Sequence, residues 1–224
     1  MHIEPGIVNG AKIALSYATA AGAGWYSLKL TLQSLQSAGI ASFASRCVLA
    51  MAATFTFFQV LPHFPVGVSE VHFILGSTLF LLFGAAPAAF GLAAGLLLQG
   101  LLFAPTDLPQ YFINITTLLV PLFAVSALAK WVIAPNTAYV DLSYAQALKL
   151  STTYQAGVVA WVAFWAFYGQ GFGAETLASV TSFGLAYMLV IIIEPLVDLA
   201  VLAGAKAMRS LEKTGFVQAR VYSA

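Results

Sequence analysis

The chain predicts an all-α polytopic membrane bundle of about seven transmembrane helices, and three observations carry that expectation. Hydrophobic residues make up 61% of its 224 positions and charged residues only 8%, a composition whose surface lipid solvates and water does not. Apolar runs follow one another from residue 12 to residue 205 without a long polar stretch, so residues 1–224 form a single transmembrane domain with no soluble module. The basic residues are confined almost entirely to alternate connections, as the positive-inside rule requires.

Taken in order, the runs place helices at about 12–30, 46–62, 70–83, 87–104, 111–134, 150–168 and 176–205. In the first, Ala14, Ala18 and Gly22 permit close helix approach, within the bundle or against another subunit. The third is short and is interrupted by Gly84-Ala85-Ala86-Pro87. Broken helices at membrane depth are tolerated where protein or a polar cavity receives them, which makes this segment a pointer to a binding site. With the amino terminus outside, Lys29, Arg46, Lys130, Lys149, Lys206, Arg209, Lys213 and Arg220 all fall inside, and only Lys12 falls outside. The carboxyl terminus, with its basic tail at 206–224, is therefore expected in the cytoplasm, which an even number of crossings would forbid. Residues 1–11 lack the positive region and cleavage pattern of a signal peptide, so Met1 is expected to be kept.

This topology brings His2, His63 and His72 to the outer side together with Glu4, Glu70, Asp107 and Glu175, a set that suits a cation. A histidine beside a free terminus is a ready chelate. The amine of Met1, the backbone nitrogen of His2 and its Nδ1 close two fused rings on one ion, a nitrogen set suited to Ni(II), Cu(II) and Co(II). His72, at the head of the third run, is the expected fourth nitrogen, because an intramembrane histidine is costly unless paired. His63 reads as an exposed loop residue or a guard at the entrance. Ser69 and Glu70 either cap the third helix or orient His72. Asn114 either joins helices or holds the amino-terminal segment. Glu194 and Asp198, one turn apart, are placed to meet a partner subunit or Arg209. Cys47, alone in an apolar run, reads as a small buried hydrophobe.

Several functions are disfavoured. The net charge of +1 gives no nucleic-acid signal. No Gly-x-x-x-x-Gly-Lys loop is present, so the chain cannot itself couple ATP hydrolysis, and no His-Glu-x-x-His or Gly-x-Ser-x-Gly pattern supports a hydrolase.

Met1-His2-Ile3 with Gly6, Phe64-Pro65-Val66-Gly67 before His72, Leu98-Gln99-Gly100-Leu101-Leu102-Phe103, and Asn114 resemble, in the same order, the CbiM/NikM family. These are the substrate-capture components of energy-coupling factor ABC transporters for cobalt and nickel. The resemblance implies an amino terminus inserted into the bundle and metal ligands from Met1, His2 and His72; Glu4, His63, Ser69, Glu70 and Asn114 are the candidate residues around them. It also implies a non-catalytic subunit of the bacterial inner membrane that carries Co(II) or Ni(II) as transported substrate, with no organic cofactor. Partners would be a membrane coupling subunit, cytoplasmic ATPases and a small accessory membrane subunit. Two positions depart from the family: Pro5 where an acid usually precedes the glycine, and Glu70 where a small hydroxyl residue is usual. A vitamin-capture component and a membrane metalloenzyme or metal-sensing subunit are the competing readings.

Overall fold

A computed structural model of the chain describes residues 2–223. Its helices are α1 (Ala14–Phe55), α2 (Gly76–Phe83), α3 (Ala85–Leu102), α4 (Tyr111–Val132), α5 (Tyr144–Gln170), α6 (Ala174–Met188) and α7 (Val190–Ala207). Among the described residues, four helical stretches are long and apolar enough to cross a membrane: Gly10–Val60, Ala85–Leu102, Pro105–Val132 and Ala174–Ala207.

At 42 residues, α1 would span about 60 Å if straight, twice the hydrocarbon thickness of a bilayer. It is not straight. Gly39, at φ 78°, leaves helical geometry and divides α1 into two arms, a conformation that costs glycine little. The first arm sets Tyr17 on Phe112 and Tyr26 on Phe123, with ring centroids 5.1 and 4.7 Å apart, and so runs parallel to α4. In the second arm Ala50 lies against Gly91 and Thr54 against Gly95, where a Cβ on either glycine would overlap its neighbour, so this arm runs parallel to α3. Arg46 ties the arms by donating from Nη2 to Ser34 Oγ at 3.3 Å. The two arms thus extend the expected helices at 12–30 and 46–62 into residues 31–45, and they meet at Gly39. The glutamines and serines there lower hydropathy without breaking a helix.

The third run differs more. Residues Phe64–Val66 and Ser69–Val71 form an antiparallel hairpin, β1 and β2, in which Pro65 faces Glu70. Gly67, at φ 62°, turns the chain at the tip. Helix α2 begins only at Gly76, so the expected helix over 70–83 is confined to its second half. The cause is local: Val66, Val68 and Val71 favour strands, Pro65 prevents helix there, and Gly67 supplies the reversal. The open edge of β2 is filled by the amino-terminal segment. Ile3 pairs with Ser69, and backbone bonds run from Glu4 N to Val68 O and from Glu70 N to His2 O, each 3.1 Å. The fold is therefore nearly all-α with one small sheet, against the expectation of helices alone.

The last expected helix, 176–205, is divided at Leu189 into α6 and α7. Helix α5 starts on a complete capping box between Ser143 and Gln146. At its far end the Gly169 carbonyl accepts from Lys12 Nζ at 2.9 Å, and Gln170 Nε2 donates to the Gly6 and Ile7 carbonyls at 3.0 Å. Gln110 Nε2 donates to Val8 O at 3.2 Å. These bonds and the burial of Ile3 and Val8 set residues 2–8 into the bundle.

Candidate metal site

Four chain segments meet at His2: the amino-terminal strand, the β1–β2 hairpin, the 3-10 turn Pro105–Gln110 and the start of α4. Strand pairing with Ser69 fixes the register, and in a strand the register decides which face each side chain takes. Two side chains then hold the backbone on either side of the His2–Ile3 peptide. Ser69 Oγ donates to His2 O at 2.8 Å, and Ile3 N donates to Asn114 Oδ1 at 2.9 Å. The His2 amide finds no acceptor among the described residues.

With its backbone so held, His2 turns its ring toward His72. The two imidazoles stand edge to face with centroids 5.4 Å apart, and both residues are buried. His2 Nδ1 and His72 Nε2 each lie 2.9 Å from one oxygen, Glu70 Oε2, so two ring nitrogens, one from the amino-terminal segment and one from the residue after β2, converge on a single point. One donor atom from each of His2, Glu70 and His72 falls within 4.8 Å of the others. Asp107 adds Oδ2 at 3.6 Å from His2 Nδ1. Phe58, itself buried, closes the floor with ring centroids 5.7 Å from His2 and 4.7 Å from His72.

The charge state follows from these surroundings. Burial lowers the affinity of both imidazoles for a proton, and His72 is pulled down to about 2. Burial opposes ionisation of Glu70 as well, but hydrogen bonds from His2 and His72 outweigh it and hold the carboxyl well below its usual range. Glu4 is shifted the other way, upward, by burial and by the neighbouring Glu70 and Asp107. The three side chains thus form two neutral rings donating to one carboxylate, with tautomers assigned from the hydrogen bonds: Nδ1–H on His2 and Nε2–H on His72. The other ring nitrogens, His2 Nε2 and His72 Nδ1, are buried without partners.

Of the residues singled out in the sequence, His2, His63, Ser69, Glu70, His72 and Asn114 are brought together, while Met1 lies outside the described residues. His63 is no free loop residue: its ring stacks on His72 at 4.7 Å with an interplanar angle of 13°. Ser69 and Glu70 cap no helix, because they lie in β2. Glu4 contributes its backbone to the sheet. Asp107 carried only the signal of an acid on the same side; the turn that delivers it to His2 has no local signature. Glu194 and Asp198 face no partner, since both are fully buried between α2, α5 and α7.

An apolar helical bundle with a buried, convergent imidazole pair defines a polytopic membrane protein with a metal-competent pocket. Residues 2–211 match the CbiM family, described as the cobalt uptake substrate-specific transmembrane region, and the chain belongs to that family. It is accordingly a transmembrane component of cobalt uptake. Comparison with curated proteins and with solved structures found no match.

Proposed function

We propose that this chain is the substrate-capture subunit of an energy-coupling factor importer, binding Co(II) or Ni(II) through the Met1 amine, the His2 amide, His2 Nδ1 and a His72 ring nitrogen. The observation that carries the reading is the convergence of His2 Nδ1 and His72 Nε2 on one point, 2.9 Å from each, beneath a strand made of the first residues. The unpaired His2 amide supports it, since a chelating amide must be free to lose its proton. Glu70 holds the rings apart from water and in place until the ion arrives, and then yields the position between them. Seven passages, with the amino terminus outside, fit two arms of α1, a short α2, α3, α4, α5 and a bent α6–α7. A membrane coupling subunit and cytoplasmic ATPases would then supply the energy.

Proton accounting tests the ligand set. Because burial keeps both rings neutral near pH 7, they release no proton there. The amine, ordinarily near 8, and the amide release about two protons per ion. Calorimetry in buffers of different ionisation enthalpy should read about two; a value near zero removes the amine–amide chelate. Affinity falls as pH is lowered.

The metal-free fold has its own acid limit. The unfolded histidines bind protons below about 6.5 and the buried ones do not, so the unfolded state gains protons first. Stability is full above that pH and declines as pH falls below it. Thermal unfolding between pH 7.5 and 5 should show a falling Tm, with a weaker dependence in His72→Gln.

Asn114→Ala removes the acceptor that holds Ile3 while leaving the proposed donors intact. Metal affinity is expected to drop by roughly 10–100-fold, the range for loss of a partner that positions a ligand, with a modest fall in Tm because the Ile3 N–H is left buried without an acceptor. Unchanged affinity would mean that Asn114 serves helix packing alone.

A further inference from the structure

Away from the histidines, α7 carries Glu194 and Asp198 into the interior, both with 0% exposure. No Lys, Arg or His lies within 4.0 Å of either acid among the described residues. Helix α2 meets them with hydroxyls. Ser77 Oγ lies 3.1 Å from Glu194 Oε1 and 2.7 Å from Asp198 Oδ2, and Thr78 bonds Asp198 Oδ1. Helix α5 meets Glu194 Oε2 with Ser151 Oγ and Gln155 Nε2, each at 2.5 Å.

The proton count of this cluster does not close with both acids ionised. Ser77 has one hydroxyl proton and faces an oxygen of each carboxyl, so it donates to one and must accept from the other. Accepting requires a carboxyl that carries its own proton. Two carboxylates side by side in an apolar interior without a counter-ion demand the same thing on energetic grounds. A separate observation points to the same ligand. Tyr154 is fully buried and its hydroxyl has no partner. The ring carbon that bears this hydroxyl stands where a Cβ on Gly76, the residue before Ser77, would have to go, so an unpartnered hydroxyl, able to donate or to accept, sits against the start of α2. Tyr187 on α6 is the other titratable group within electrostatic reach of Glu194.

We infer that Glu194 and Asp198 form an intramembrane proton-binding site, holding one proton between them through Ser77, that locks α2 to α7. On release, the carboxyl O–H bond breaks and the proton leaves to water. Two carboxylates then compete for the single Ser77 hydroxyl, and one contact between α2 and α7 is lost. Since α2 starts at Gly76, four residues after His72, the lock bears on the segment that carries the histidine.

Difference infrared spectroscopy of the detergent-purified, metal-free protein tests this. The carbonyl band of an un-ionised carboxyl is expected at pH 7, shifted by H/D exchange, insensitive to added sodium and absent from Asp198→Asn. That variant supplies the missing N–H itself and should keep the fold and the slow amide exchange of α2. Asp198→Ala, which supplies none, should speed α2 exchange about tenfold or more. A wild-type spectrum without the band, a band that persists in Asp198→Asn, or a band abolished by sodium would each overturn the proton assignment. Equal α2 exchange in both variants would overturn the lock.

Discussion

His2→Ala is expected to lower Co(II) or Ni(II) affinity by more than roughly 100-fold, beyond what removal of an orienting partner costs. The fold should survive, because the strand is held by backbone bonds at Glu4 and Glu70 and by buried Ile3, none of which needs the imidazole. His72→Ala should give the same loss. A residue added ahead of Met1 should do so too, although it leaves both rings untouched, because it converts the chelating amine into an amide and displaces the fused rings. The three variants, titrated calorimetrically against each ion, separate this ligand set from one that uses side chains alone. If the extended chain binds as tightly as the wild type while His2→Ala does not, the site is an imidazole–carboxylate cage of His2, His72 and Glu70, and the amine is no ligand.

Gly67→Ala is expected to destabilise the outer sheet by roughly 2–5 kcal/mol. A non-glycine residue at left-handed φ costs about 1–2 kcal/mol, and the added Cβ would overlap the Ser179 carbonyl on α6, adding about 1–3 kcal/mol of overpacking. Since β2 carries Ser69 and Glu70 and leads into His72, the same change should weaken metal binding. Ser179→Ala relieves nothing, because the clash is with backbone. Tm and affinity should therefore fall together in Gly67→Ala, whereas in His2→Ala affinity falls alone; an unchanged Tm in Gly67→Ala would place the hairpin tip away from α6.

Membrane character and family were legible because both are carried by composition and by short ordered motifs, and neither requires knowing who touches whom. Helix boundaries were less so. Hydropathy placed a break between residues 30 and 46, where Gly39 does divide the helix. Yet it ended the first arm before Gln33, Ser34, Gln36 and Ser37 because it reads lipid preference, whereas helix continuation depends on backbone propensity, which those residues satisfy. It mistook residues 70–75 for helix because a run of apolar residues is equally a strand when a glycine can reverse it. Around the histidines, residues with unusual chemistry for their place, His2, His72 and Asn114, stood out singly. Asp107 did not, because α1, the hairpin, α2 and α3 all lie between it and His2 along the chain, and no local pattern encodes so distant a meeting. Glu194 and Asp198 were visible as a pair, yet the hydroxyls that cover them lie on α2 and α5, and so their burial was not.

One consequence of the amino-terminal strand concerns length. Residues 2–4 are pinned by the hairpin edge and residues 6–8 by Gln170 and Gln110, so the stretch between these clamps behaves as a ruler whose graduations are single peptide units. A slip of one unit would turn the imidazole to the opposite face of the sheet. A slip of two would restore the face but carry the ring about 7 Å past His72. No intermediate setting exists, so this segment tolerates a change of residue far better than a change of count.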